Sequence, residues 1–178
     1  MTAEFQRTDS EIKWESKIVR VGIERYRYAD GAEVTRDKVW HPGAVGIVPL
    51  DGEHVWLTRQ PREVIGAEAS LEIPAGKLDV PGEPPLETAK RELAEEIGKQ
   101  AERWEEIFCF YTSPGFSDER VWIYVANGLS DAPETPGDED ERIEIVPWPL
   151  DRIDDAIAQC EDSKSLIALL WLKGRQAR

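Results

Sequence analysis

The chain has 178 residues, with 22 Lys and Arg against 36 Asp and Glu, giving a formal net charge of −14. That length sets the expectation of one domain with an appended element, and that charge argues against general affinity for phosphate backbones or anionic lipid surfaces, hence against a nucleic-acid or membrane partner. A hydrophobic content of 40% and seven Trp exclude a disordered chain, and apolar runs such as Ala44 to Leu50 and Leu166 to Leu172 are far too short to span a bilayer.

Met1 to Arg7 lacks the basic-then-apolar order of a secretory signal. Residues 17 to 40 alternate in strand fashion around Asp30-Gly31, a dipeptide that accepts the positive φ of a tight turn, so residues 1–40 are expected to form an N-terminal antiparallel β-ribbon. A ribbon of this size cannot bury its own face, which favours pairing with a second copy, and a homodimer is expected. Residues 41–178 then form the main domain. In it, Ala44 to Leu50, Asp51-Gly52 and Val55 to Thr58 read as a hairpin whose first strand is apolar throughout and so buried on both faces. Further strands are expected at Leu71 to Ile73, Ile107 to Thr112, Val121 to Ala126 and Ile143 to Trp148.

A helix is expected from Pro84 to Ile97, where two prolines suit the first turn, Gly98 supplies the stop, and Leu86, Ala89, Leu93 and Ile97 form one apolar stripe. A second helical stretch, Leu150 to Lys173, is expected to break near Asp162 and Ser163. Strands and helices mixed in this order indicate an α/β fold, a sheet covered by helices. Two cysteines, Cys109 and Cys160, make no disulfide framework, and His41 and His54 read as structural or exposed rather than zinc ligands. A reduced cytoplasm is the expected location.

On the first helix Glu92, Glu95 and Glu96 stand at i, i+3 and i+4, neighbours on one side, in the last turn where the helix dipole disfavours anions. A solvated acidic face is one reading. The other is a site for a hard divalent cation, Mg²⁺ or Mn²⁺, which takes carboxylate oxygens and completes its shell with water and substrate phosphate. The context bears on this: Gly76-Lys77-Leu78-Asp79-Val80-Pro81-Gly82-Glu83, seven residues, then Arg91-Glu92-Leu93-Ala94-Glu95-Glu96-Ile97-Gly98. These 23 residues resemble the Nudix box, Gly-x5-Glu-x7-Arg-Glu-U-x-Glu-Glu-x-Gly-U, where U is bulky and apolar. Two departures are present: six residues separate Gly76 from Glu83, and Lys99 stands at the last apolar position.

The resemblance implies a Nudix-type α/β/α sandwich with a mixed sheet, and hydrolysis of a nucleoside diphosphate linked to another group with divalent metals. It makes Glu92 and Glu96 metal ligands, Glu95 a ligand or base, Ala75 a donor of a backbone carbonyl to the metal, and Glu83 the ion-pair partner of Arg91. Gly76 is expected to use backbone angles closed to other residues at the entry of the loop.

Ser113-Pro114-Gly115-Phe116-Ser117-Asp118-Glu119 reads by itself as a turn with an acidic tip. Pro114, however, falls sixteen residues beyond Gly98, the position that marks the ADP-ribose pyrophosphatase subgroup of Nudix enzymes. There the loop's Glu, here Glu119, is the candidate general base, with Asp118 the alternative. Thr58-Arg59-Gln60-Pro61-Arg62, Leu71-Glu72-Ile73-Pro74-Ala75-Gly76 and Trp40 to Val45 are also similar to this subgroup, with a weaker echo in Asp162-Ser163-Lys164. The implied reaction is metal-assisted cleavage of ADP-ribose to AMP and ribose 5-phosphate. Arg62 is the first choice for a bidentate phosphate contact and Arg59 the second; Arg36 is placed to meet the base, while Val21-Gly22-Ile23 offers no aromatic. Rival readings are the same chemistry on another nucleotide sugar or a dinucleotide, and a non-catalytic nucleotide sensor.

The charge is uneven along the chain. Residues 83–106 carry −4 and residues 131–144 carry −6, whereas residues 17–38 carry +2. The second acidic stretch reads as a solvated loop, unless Glu139 or Glu141 reaches the metal site from the side. The basic ribbon is the expected place for an anionic substrate to be held.

Overall fold

A computed structural model describes residues 4–133 and 142–176, in two compact units. One runs to Gly43 and takes in Tyr111–Arg120; the other holds Ala44–Phe110 and the chain from Val121 onward. No helix among the described residues is long and apolar enough to cross a membrane.

In the first unit β1 (Phe5–Glu15), β2 (Arg20–Tyr28) and β3 (Glu33–Trp40) form an antiparallel sheet in that order. The β2–β3 turn is the expected one, with the Asp30 carboxylate accepting the Ala32 N–H at 2.9 Å. The ribbon thus has three strands rather than the two legible from residue 17 onward. Every residue of β1 is exposed, so there was no alternation of buried and solvated positions to betray it. Residues 111–120 lie along the edge of β3: the Val39 N–H donates to the Phe116 carbonyl at 2.8 Å, and the Asp118 N–H to the Val39 carbonyl at 3.2 Å.

The second unit is built on a mixed sheet. Its strands are β4 (Ala44–Leu50), β5 (His54–Arg62), β6 (Ala67–Glu72), β7 (Ala75–Lys77), β8 (Lys99–Tyr111), β9 (Arg120–Asp131) and β10 (Glu144–Pro149). The order is β10-β5-β4-β9-β8, with β6 on β5 and β7 on β4. β4 and β9 run parallel, while β4 is antiparallel to both β5 and β7. Strand β8 begins eight residues before the expected Ile107, because Lys99 to Glu106 is too charged to read as a strand.

Among the described residues three α-helices cover this sheet: α1 (Pro85–Ile97), α2 (Ile153–Gln159) and α3 (Ser163–Gln176). The period-two alternation of β4 decides which helix meets which face. Val45 and Ile47 pack with Ala89, Leu93 and Ile97 of α1, whereas Val48 joins Ile153 and Ala156 of α2 and Leu169 and Leu172 of α3. Both faces are therefore buried, as its apolar composition requires, and the result is an α/β/α sandwich. Gly98 ends α1 in the left-handed region, its N–H reaching back to the Ala94 carbonyl at 3.1 Å. The break between α2 and α3 falls where it was expected. Asp162 caps α3 by accepting the Ser165 N–H at 2.9 Å.

Candidate active site

Helix α1 carries Glu92, Glu95 and Glu96 in its last turns, on the flank of the stripe that binds it to the sheet. Because α1 packs on β7, the carboxylates meet the backbone at the entry of the loop. Glu96 is almost wholly buried and its Oε2 accepts the Ala75 N–H at 3.0 Å. Glu92 folds over Gly76, where a Cβ would lie 2.0 Å from the Glu92 Cδ. Gly76 does not have a positive φ, so the expectation of special backbone angles is corrected: glycine is needed because the Glu92 side chain fills the space of a Cβ.

Arg91 draws the acidic groups together. It lies 2.9 Å from Glu92, 2.8 Å from Glu95, 3.3 Å from Glu83 and 3.8 Å from Asp79. Burial alone would lower the basicity of this guanidinium, but the carboxylates of Glu92, Glu83 and Glu95 outweigh it and raise it. Thr88 donates its hydroxyl to Glu83 at 2.8 Å, so the extra residue in the preceding loop does not prevent Glu83 from reaching the helix. Lys99, the second departure, lays its ammonium over the Trp56 ring at 4.6 Å and pairs with Asp131 at 2.6 Å. The long stem and cation thus occupy an aromatic contact in place of a bulky apolar side chain.

One guanidinium facing Asp79, Glu83, Glu92 and Glu95, with Glu96 beside them, leaves an excess of negative charge. The donors are oxygens, and the Ala75 backbone lies against Glu96, so the chemistry of the set fits a hard divalent cation. Among the described residues no ready-made cage of three or more His, Cys, Asp or Glu side chains is formed. A Cβ at residue 76 gives a direct test of this geometry. Gly76→Ala is expected to swing the Glu92 carboxylate aside and lower kcat/KM by roughly 10–100-fold, with the melting temperature changed by only a few degrees. Steady-state kinetics beside a thermal melt checks this; unchanged kinetics would show that the position of Glu92 does not matter.

Arg62, at the end of β5, directs Nε and Nη2 to the two oxygens of Glu72, each at 2.7 Å. Glu72 is buried and also receives Lys164 at 2.8 Å. Burial by itself would raise the Glu72 carboxyl, but Arg62 and Lys164 outweigh it and hold it at about 2 against an ordinary 4.5. Because the folded-state value is depressed, the resulting stability is present above pH 4.5 and is lost as pH falls toward 2. It amounts to roughly 3 kcal/mol. In acid titrations followed by melting temperature, the wild type is expected to fall more steeply over that window than Glu72→Gln. Arg59 donates to the Gln159 side chain at 3.0 Å on the surface.

In the first unit a cavity of about 480 Å³ opens between the sheet and residues 111–118. Phe5, Tyr26, Tyr28, Arg36, Lys38 and Phe116 line it. Arg36 is therefore where an aromatic ligand would find both stacking faces and a cation. The three ring-bearing ribbon residues were missed from sequence, although Tyr26-Arg27-Tyr28 at period two was a usable signal. No side chain fits at Gly22, whose Cβ would lie 2.1 Å from the Glu11 carbonyl oxygen.

Glu119 accepts the Thr112 hydroxyl at 2.7 Å, and the His41 Nδ1 stands 3.7 Å from its other oxygen. His41 is accordingly part of this surrounding, a neighbour that sequence alone did not suggest. Asp118 is engaged differently, accepting the His41 backbone N–H at 2.9 Å and pairing with Lys38 at 3.1 Å. Glu139 and Glu141 lie outside the described residues.

Comparison with known proteins bears on the family of the chain. The NUDIX domain profile matches residues 40–170. The chain is 37% identical over 165 residues to the methanol dehydrogenase activator of Bacillus methanolicus, covering 90% of this chain and 88% of that one. It is 38% identical over 146 residues to the ADP-ribose pyrophosphatase of Mycobacterium tuberculosis, covering 82% of this chain and 70% of that one. A crystal structure of an ADP compounds hydrolase superposes with a TM-score of 0.82 at 27% identity, covering 97% of this chain and 96% of that one. With its box on a loop and helix against a mixed sheet, and a family profile spanning most of its length, the chain belongs to the Nudix hydrolases.

Proposed function

We propose that this protein hydrolyses the pyrophosphate bond of ADP-ribose, giving AMP and ribose 5-phosphate, with Mg²⁺ or Mn²⁺ held by Glu92, Glu96 and the Ala75 carbonyl. The observation that carries the reading is the packing of the α1 carboxylates onto the backbone of Ala75 and Gly76, a cluster whose excess negative charge suits a cation. The choice of ADP-ribose is supported by the similarity to an ADP-ribose pyrophosphatase and an ADP compounds hydrolase.

A bound divalent cation supplies neutralisation of the charge that gathers on the pyrophosphate oxygens. The chain's own groups do the rest. Arg62, its plane fixed by Glu72, presents its remaining N–H groups to a phosphate. Arg36 and the tyrosines beside it hold the adenine. Glu119 takes the proton of the attacking water, the hydroxyl of Thr112 keeping its carboxylate oriented. Glu95, paired with Arg91, is then left as a further metal donor.

The protein acts as a homodimer. Support comes from β1, which exposes Phe5, Ile12 and Trp14 along an uncovered strand. The free Cys109 and Cys160 suit a reduced, cytoplasmic setting.

A substrate panel with purified protein and Mg²⁺ tests the assignment. ADP-ribose should be turned over with the highest kcat/KM; faster cleavage of a GDP-hexose or a dinucleotide would replace the substrate while keeping the chemistry, and binding without turnover would make the protein a sensor. Hydrolysis in H₂¹⁸O followed by mass analysis of AMP and ribose 5-phosphate identifies the phosphorus attacked.

A further inference from the structure

Lys164 meets the same carboxylate as Arg62, and any part it plays at the site rests on Arg62 being a phosphate contact. An arginine whose fork is already closed on a carboxylate is a poor ligand for an anion, because the carboxylate cancels its charge as well as occupying two of its donors. Arg62 is in that situation, with both oxygens of Glu72 at 2.7 Å. Glu72, however, is not devoted to Arg62 alone. Its Oε2 also receives the Lys164 Nζ at 2.8 Å, and only Arg62 of the three reaches well into solvent, with 41% of its side chain exposed against 2% for Glu72 and 14% for Lys164.

The other side of Lys164 is also occupied. Asp162 lies 2.9 Å from its ammonium, and the Asp162 carboxylate accepts the Ser165 N–H and hydroxyl at the start of α3. Part of the Asp162 charge is thereby taken up by the helix terminus, whose partial positive charge favours anions. Ser165 in turn accepts the Ile73 N–H at 2.9 Å, so the first turn of α3 is tied to the chain just beyond Glu72. The ammonium has a rigid mount.

We infer that Lys164 is a positioning residue for substrate binding: by sharing Glu72, it holds the Arg62 guanidinium in a fixed plane while leaving its outward face positively charged toward a phosphate. A simple fastener between α3 and the sheet would need the Lys164–Glu72 contact but would have no influence on the affinity for an anion.

The test is kinetics with ADP-ribose and Mg²⁺ on the full chain, using Lys164→Met, Lys164→Gln, Lys164→Arg, Arg62→Ala and the double variant Arg62→Ala/Lys164→Met. Lys164→Met is expected to raise KM roughly tenfold with kcat within about twofold, and Lys164→Gln, which still donates to Glu72 and so keeps the fold, to do the same. Lys164→Arg should restore KM. The double variant should be no worse than Arg62→Ala. If Arg62→Ala raises KM but Lys164→Gln does not, or if the two effects add, the positioning role is overturned while Arg62 remains a substrate contact. If Arg62→Ala leaves KM unchanged, the reading of Arg62 itself is overturned and the role of Lys164 goes with it. Should Lys164→Met fail to fold, Lys164→Gln decides alone by the same criteria.

Discussion

Glu96→Gln is expected to lower kcat for ADP-ribose by roughly 10²–10³-fold while the protein stays folded, a loss of the size that follows when several kcal/mol of charge stabilisation are removed from a transition state. The substitution changes little in shape. The Glu96 Oε2 accepts the Ala75 N–H, and a glutamine carbonyl oxygen can accept the same bond, so the junction of α1 with β7 survives. What is lost is one negative charge, from a group that is only 8% exposed and directed at the box backbone. Calorimetric titration with Mn²⁺ should show weakened binding in parallel with the loss of kcat. Near-full turnover with intact metal affinity would sink the assignment of the α1 carboxylates as the cation site.

For Glu119→Gln the expected result is a fall in kcat of roughly 10²–10⁴-fold with KM changed by no more than a few-fold, the range for removal of a general base. The loop should not move, because its hold on the ribbon does not depend on the Glu119 charge. The backbone bonds between Val39 and residues 116 and 118 remain, and the Thr112 hydroxyl can donate to an amide oxygen as it does to the carboxylate. The amide can no longer take a proton from water. Unchanged turnover would pass the base role to Glu95 or Asp118, and the structure makes either a costlier choice: Glu95 is bound by Arg91 at 2.8 Å, and Asp118 by the His41 N–H and Lys38. Either carboxylate would have to give up those partners to turn toward a water.

Much of the second unit was legible because its signals are local. The apolar run of β4, the hairpin at Asp51-Gly52 and the prolines and glycine that bound α1 each act over a few residues, and all three elements lie where they were expected. The three glutamates of α1 share a side of the helix for the same reason, since 3.6 residues per turn fixes which positions are neighbours. Strand β1 was not legible. It buries nothing, and a strand without a buried face has no period to read.

The sequence by itself determined the chemistry available at the site: which carboxylates stand on one helix face and which loop carries a spare acid. Only the tertiary structure decided how those groups are held. That Gly76 must be glycine because of Glu92, that Arg62 shares Glu72 with Lys164 from the last helix, and that His41 stands beside Glu119 are contacts between residues far apart in the chain. A helix or a turn is set by neighbours in sequence, whereas a buried ion pair or a filled Cβ space is set by which surfaces pack together, and one-dimensional spacing carries no record of that.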